Sequence, residues 1–466
     1  MIEYDGGSFK DPAGRVFQLE DSIYRTLSND AARAFAQAQD RGLIDELVGE
    51  GLLLRVELVR ADEAGLPADD VGAQLLRQPL MAFVSYSYEW SFEMLRDAAL
   101  VTLRLLDRAL ARDMILKDAN SFNILFDGTI PRHVDPPSIE PYDEGHPWAG
   151  YSQFCRSFLF PLLVEAYRGI DARALLRGVM GELPVQETAR LLRLRDYVRS
   201  GVLAHVVAQS RLERTFAGAS SAVASAVRPI HYPKRALLAN IHGLIDLIGG
   251  LRPPRANSAW AEYESSHSYS GDDQASKKAF VARAVCERGS RRVVDLGCNT
   301  GTYSGIALDG GCRVIALDYD AAAIDRLYRR THGNTKLSPV VANLLNPTPA
   351  MGWGLRERRA LLDRLPADCF LALALIHHLR ITGGVPLPLI LDQLFAIAPE
   401  GVIEWVGKDD AMVHHMLRLR SDVYDDYSLP VFESLLGQRA RIVAVHATHA
   451  GNRRLYHVTN GQVAGR

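Results

Sequence analysis

From Arg291 to Asp320 the chain reads RRVVDLGCNTGTYSGIALDGGCRVIALDYD. A short apolar run ends in Asp295, a glycine turn follows at Gly297 and Gly301, and after a helix-like segment a second apolar run ends in Asp318. Gly297 and Gly301 let the backbone pass close to a ligand at the carboxyl end of a parallel strand, where open α/β sheets hold their ligands. Asp318, at the tip of the second strand, is placed to accept hydrogen bonds from the two hydroxyls of a ribose. Asn299 interrupts the glycines, and Asn is the side chain that best tolerates a left-handed backbone. Glycines alone also occupy the first turn of many βαβ units, so the acid completes the pattern.

Such a turn needs a sheet beneath it. Apolar runs at Pro339 to Leu345, Cys369 to Ile376, Gly401 to Val406, Arg441 to His446 and Arg454 to Val458 alternate with helical segments. That alternation predicts a mostly parallel, doubly wound α/β sheet, closed at one edge by a hairpin turning at Gly451-Asn452. The stretch resembles motif I of the class I S-adenosylmethionine (SAM) methyltransferases, Asp-x-Gly-x-x-x-Gly. The resemblance implies a Rossmann-like, seven-stranded domain with SAM as cofactor. It places Asp295, Gly297, Asn299 and Gly301 near the methionine end, Asp318 on the ribose and Tyr319 beside the adenine. Asn343 and Leu344, after the third strand, are expected near the adenine amino group, with the Asn343 amide oxygen accepting from it. Tyr263 and Tyr269, just before the first strand, either close over the cofactor or cap the sheet.

Methyl transfer is an in-line displacement, so the protein mainly holds donor and acceptor in place and excludes water. A hydroxyl or ammonium acceptor must also lose a proton. His377 and His378, at the end of the fourth strand, are candidates for a base near neutral pH. Their alternative role is packing under the following helix. Glu404 in the fifth strand is a second candidate, with a structural ion pair as its alternative. Asp409, Asp410 and the stretch from Arg420 to Tyr424 suggest a polar loop over the acceptor. His414 and His415, adjacent on a helix, point apart, so no shared metal is expected.

The preceding half has a different character. Phe92, Leu95, Ala99, Leu103, Leu106 and Leu110 recur at helical spacing and predict an amphipathic helix over 89–111. Shorter helix-like and strand-like pieces lie around Ala31 to Leu47 and Leu52 to Val59. After the long helix, Asp118, Asn123 and Asp135 follow the spacing of the catalytic loop in aminoglycoside-phosphotransferase-type kinases. In those enzymes the first Asp faces a hydroxyl, and the Asn and second Asp hold magnesium on phosphates. Here Ile115-Leu-Lys replaces the usual His-Gly or His-Arg, Pro136-Pro137 follows the last Asp, and no convincing glycine-rich nucleotide loop precedes it. Turn capping is the alternative role for Asp118 and Asn123. Residues 151–250 are helix-rich, and Gly249-Gly250 with Pro253-Pro254 predict a boundary near residue 252. The expected domains are therefore 1–252, α+β and kinase-like, and 253–466, the methyltransferase.

The 466 residues carry a formal net charge of −2 and no long Lys/Arg run, which disfavours nucleic acid as a partner. Five scattered cysteines offer no zinc spacing or disulfide framework, consistent with a reducing cytoplasm. The amino terminus lacks the pattern of a secretory signal. Phe158 to Val164 and Ile241 to Leu251 are too short or interrupted to cross a bilayer, so no membrane partner is expected.

Across both halves, Ser85-Tyr-Ser-Tyr-Glu-Trp90, Leu116-Lys-Asp-Ala119, Asn346-Pro-Thr-Pro-Ala-Met-Gly-Trp353, Leu373-Ala-Leu-Ile-His-His-Leu379 and Glu404-Trp-Val-Gly-Lys-Asp409 resemble the family of NoeA-like nodulation proteins. The resemblance implies a SAM-dependent methyltransferase acting on a small-molecule or glycan-type acceptor, with the amino-terminal domain helping to form the acceptor site. Two alternatives stand beside it: phosphotransfer by the amino-terminal half, and a SAM-gated binding protein without catalysis.

Overall fold

The computed structural model describes residues 2–67, 71–72, 74–211, 231–253, 271–286, 292–418, 423–448 and 451–460. The chain divides into two compact units. The first comprises Met1–Asp127, Pro131–Ala256 and Ala350–Arg359; the second comprises Gly128–Ile130, Asn257–Pro349 and Ala360–Arg466. Among the described residues no helix is long and apolar enough to cross a membrane.

In the first unit β1 (Val16–Leu19), β2 (Ser22–Thr26), β3 (Glu57–Arg60) and β4 (Gln74–Pro79) form an antiparallel sheet of order β1-β2-β4-β3. Phe17, Tyr24, Val59 and Leu75 form a buried cluster on it. The helical stretch expected over 31–47 is two helices, α1 (Asn29–Asp40) and α2 (Leu43–Gly49), because Gly42 between them is left-handed at φ 70°. The strand expected from Leu52 to Val59 begins only at Glu57; Leu53 instead makes a single bridge to His133. The long helix α3 (Phe92–Ala111) starts after a 3₁₀ turn at Ser87–Glu89 and buries the apolar stripe read from its spacing. It packs against α4 (Lys234–Gly250).

Two short ladders follow α3, one nested in the other. β5 (Met114–Leu116) pairs with β8 (Ile139–Pro141), and between them β6 (Ile124–Asp127) pairs with β7 (Ile130–His133). Nesting brings the loop after β5 and the loop after β7 to the same end of the ladders.

The second unit is a seven-stranded sheet of order β11-β10-β9-β12-β13-β15-β14. Its strands are β9 (Arg292–Leu296), β10 (Arg313–Asp318), β11 (Leu337–Val341), β12 (Cys369–Ala372), β13 (Glu400–Val406), β14 (Arg441–Ala447) and β15 (Arg453–Thr459). The first five are parallel, and β15 runs antiparallel to both β13 and β14. Buried on both faces, β10 and β12 read as unbroken apolar runs, as parallel strands covered by helices do. Numbered within the unit, the order is 3-2-1-4-5-7-6, the class I methyltransferase fold. Helices α5 (Gly271–Cys286), α6 (Thr302–Asp309), α7 (Ala321–Arg330), α8 (Leu387–Ile397) and α9 (Leu429–Gly437) accompany the sheet. β9 lies between β10 and β12, where the strand order reverses, so the crevice beyond its carboxyl end is the topological switch point.

Two strands end earlier than their apolar runs suggest. β11 stops at Val341 because Asn343 turns the chain, its amide oxygen accepting from Leu345 N–H at 2.9 Å. β12 stops at Ala372; Ala374 is left-handed at φ 50°, and a π-helical turn begins at His378.

Candidate active site

The turn after β9 is tied to β10 by its own backbone. Gly297 and Cys298 both donate to the Leu317 carbonyl, at 2.8 and 2.9 Å, and Gly301 donates back to Cys298. Gly297, Asn299 and Gly301 all have positive φ, at 76°, 50° and 83°. That left-handed bend turns Asn299 N–H onto Asp318 Oδ2 at 2.8 Å, while Asp318 Oδ1 accepts from Asp320 N–H at 2.8 Å. Each carboxylate oxygen thus uses one lone pair on the backbone and retains another. The carboxylate is nearly buried, and that burial raises its pKa above the usual range. Its geometry, two fixed oxygens beside a bend opened by Gly297 and Gly301, suits a vicinal diol.

The two glycines differ in what they demand. A Cβ at Gly301 would come within 2.6 Å of Leu327 Cδ1, whereas at Gly297 the nearest atom, Leu375 Cδ1, is 3.5 Å away. Gly297→Ala therefore carries only the backbone penalty, about 1 kcal/mol, while Gly301→Ala adds overpacking against buried Leu327, about 2–3 kcal/mol together. Thermal unfolding of the two variants is expected to show the larger loss for Gly301→Ala.

Asp295, the last acid of β9, is fully inside. Ser304 Oγ in α6 donates to its Oδ2 at 2.6 Å, yet burial, with Asp318 nearby, pushes its pKa up to about 6. Tyr319 keeps its ring exposed next to Asp318. Asn343 is exposed, and its amide oxygen accepts from Leu345 N–H in the turn while keeping a second lone pair. Leu344 beside it is half-buried. Tyr263 and Tyr269 lie outside the described residues, as do 420–422 of the stretch ending at Tyr424.

On the acceptor side the histidines are corrected in one respect. His377 and His378 stack with ring centroids 4.2 Å apart, just past β12 at the π-helical turn. Burial holds the His377 pKa well below its ordinary value, aided by His378, Arg453 and Lys277, and pushes that of His378 down to about 4. Both surroundings therefore favour the neutral ring. His377 Nδ1 is buried with no hydrogen-bond partner among the described residues, a ring nitrogen that donates or accepts according to the tautomer.

Glu404 is also corrected. Its Oε2 accepts from Lys277 Nζ at 2.6 Å and its Oε1 from Arg453 Nη1 at 3.4 Å, and Arg453 also holds Asp410 in a bidentate pair at 2.8 and 3.1 Å. All four side chains are buried. Glu404 and Asp410 belong to this ion network, so the first is not a free base and the second, expected in a polar loop over the acceptor, turns its carboxylate into the interior. Lys277 escaped notice as a site residue, but a signal existed: it lies three, four and seven residues before the buried Phe280, Val281 and Ala284, on the apolar stripe of α5. A lysine there requires a buried counter-charge.

The nested ladders of the first unit bring together Asp118, Asn123 and Asp135. Asn123 Nδ2 donates to the Asp118 carbonyl at 3.5 Å, and Asp135 N–H donates to His133 Nδ1 at 3.2 Å. Asp135 is buried, and Arg25 of β2 places Nη1 2.8 Å from its Oδ1 and 2.6 Å from Asp11 Oδ2. A guanidinium therefore stands where a metal on Asp135 would be expected. The motif from Ser85 to Trp90 braces the loop: Ser121 Oγ donates to Ser87 Oγ, and Tyr86 packs edge-on against Phe122.

No protein-family model matches the chain. Among solved structures, it resembles the N-methyltransferase NodS from Bradyrhizobium japonicum WM9, with 12% identity, TM-score 0.30 and coverage of 41% of this chain and 97% of that one. It also resembles the bifunctional kinase-methyltransferase WbdD, with 16% identity, TM-score 0.31 and coverage of 45% and 44%. Among characterised sequences, the nodulation protein NoeA of Rhizobium meliloti (strain 1021) is 35% identical over 453 residues, spanning 97% of this chain and 94% of that protein. With that identity across nearly its whole length, the chain belongs to the NoeA family of nodulation proteins.

Proposed function

We propose that the protein is a SAM-dependent methyltransferase acting on a small-molecule or glycan-type acceptor. The observation that carries this reading is the Asp318 carboxylate, braced by Asn299 N–H and Asp320 N–H beside the left-handed bend, at the switch point of a class I sheet. When bound, SAM supplies an electrophilic methyl group on a sulfonium. Asp318 holds the ribose diol, the bend from Gly297 to Gly301 admits the methionine end, Tyr319 lies along the adenine, and Asn343 and Leu344 border it. His377 Nδ1 orients the acceptor by accepting its hydroxyl or amine hydrogen; with its pKa so low it positions a proton rather than storing one. Isothermal titration with SAM and with its demethylated product, followed by label transfer from methyl-labelled SAM to a metabolite pool, tests the reading. A folded sample that binds neither compound rejects it.

Asp295 gives that binding a pH dependence. Its folded pKa of about 6 exceeds the unfolded value, so its favourable contribution exists below the unfolded pKa and is lost as pH rises through about 6. At neutral pH the buried carboxylate destabilises the free protein by about 3 kcal/mol. A cationic sulfonium or ammonium nearby relieves that penalty. SAM affinity is therefore expected to rise about tenfold between about pH 5 and about pH 7 with release of a proton, and Asp295→Asn is expected to flatten the profile. Titration calorimetry in buffers of different ionisation enthalpy measures both.

A further inference from the structure

The segment Ala350–Arg359 lies in sequence between β11 and β12 but belongs to the first unit. Its base is locked. Met351 and Arg358 form a bridge, Arg358 stacks 3.9 Å from the centre of the Phe122 ring, and buried Glu357 accepts from Trp353 N–H at 2.7 Å and from Lys10 Nζ at 2.6 Å. Gly6 and Gly7 lie so close to Arg356 and Arg358 that neither has room for a side chain. The tip does the opposite of what burial of apolar groups demands: Trp353 is 77% exposed and Leu355 67% exposed. Leu355 is moreover held at φ 59°, a conformation unfavourable for a leucine, by a hydrogen bond from its N–H to the Gly352 carbonyl. Strain that presents an apolar side chain to water, on a braced base, points to a task outside the fold. Phe9, beside Lys10 and 43% exposed, adds a third apolar group.

The surrounding charge identifies the occupant. The segment carries three arginines against one glutamate, and that glutamate is buried and paired with Lys10; Arg356 and Arg359 are exposed. A tip of two or three apolar side chains is too small for the roughly 800 Å² per partner of a stable protein interface. It does suit a bilayer interface, where an aromatic ring sits at headgroup level and cations meet anionic lipid.

We propose that the loop 351–359, together with Phe9, docks the protein on an anionic membrane surface, Trp353 and Leu355 entering the headgroup region while the exposed Arg356 and Arg359 face lipid phosphates. This contact is peripheral and independent of the methyltransferase reading, since its readout requires no cofactor. The full chain is sedimented with vesicles of phosphatidylcholine alone or doped with phosphatidylglycerol, at low and high salt. Binding is expected to the doped vesicles and to weaken with salt. Trp353→Ala with Leu355→Ala is expected to lower the partition coefficient about tenfold or more. Arg356→Gln with Arg359→Gln is expected to lower it about thirtyfold, from about 1 kcal/mol per basic residue at such a surface. Val198→Ala, at an apolar residue exposed elsewhere in the unit, leaves binding unchanged. The proposal is overturned if the parent protein stays in the supernatant with doped vesicles at low salt, or if both double variants bind as the parent does. A fall in oligomeric mass on removing Trp353 and Leu355, read by light scattering, also overturns it in favour of a second copy of the chain.

Discussion

Asp318→Ala is expected to weaken SAM binding by about a hundredfold to ten-thousandfold while leaving a folded protein. The magnitude follows from two hydrogen bonds between a carboxylate and ribose hydroxyls, each contributing about 1.5–3 kcal/mol because the acceptor is charged and its position is already fixed. Fixation is the part supplied by the fold: Asn299 N–H and Asp320 N–H hold one oxygen each, so the carboxylate loses no rotational freedom when a diol arrives. The alanine variant also leaves Asn299 N–H without its acceptor and loosens the bend, which adds to the loss. Asp318→Asn keeps the shape and one acceptor oxygen and is expected to fall between the two. Because the ribose is common to SAM and its demethylated product, calorimetry should find both ligands weakened alike. Loss for one ligand only would place Asp318 at the sulfur rather than the sugar.

That bend was legible because its demands are local. Gly297, Asn299, Gly301 and Asp318 are read from residue type alone, since left-handed backbone selects Gly and Asn, and all three turn residues adopt it. The mostly parallel, doubly wound sheet followed from alternation for a similar reason: strands buried on both faces are apolar throughout, whatever packs on them. Strand ends were less legible. Asn343 ends β11 through a side-chain hydrogen bond that apolar counting ignores, and Ala374 bends the chain after β12 with no residue-type signal. Long-range ion partners were least legible. Lys277 and Glu404 are 127 residues apart, and Arg25 and Asp135 come from β2 of the four-stranded sheet and the loop after β7, so no local spacing announces either pair. The membership of 350–359 in the first unit has the same origin: Glu357 finds Lys10 across most of the chain.

The buried network of Lys277, Glu404, Arg453 and Asp410 should behave as one electrostatic object, its ion pairs joining two positive and two negative groups among the described residues. Removing a single member leaves an uncompensated charge in the interior, so Glu404→Gln and Lys277→Met are each expected to destabilise by about 3–5 kcal/mol. In a unit of this size that lowers the midpoint of thermal unfolding by about 10 °C or more. The double variant behaves differently. Taking out Lys277 and Glu404 together leaves Arg453 and Asp410 as a neutral bidentate pair, so its destabilisation should be well below the sum of the singles. Strict additivity would show that the charges are screened and that Glu404 is free after all to act as a base. His377 supplies an independent readout, because Lys277 is one of the positive charges holding its pKa down. In Lys277→Met that pKa should move back toward the ordinary histidine range, measured by NMR titration of the ring. If it does, the ion network has a second role besides holding α5 on the sheet: it adds to burial in keeping the His377 imidazole neutral.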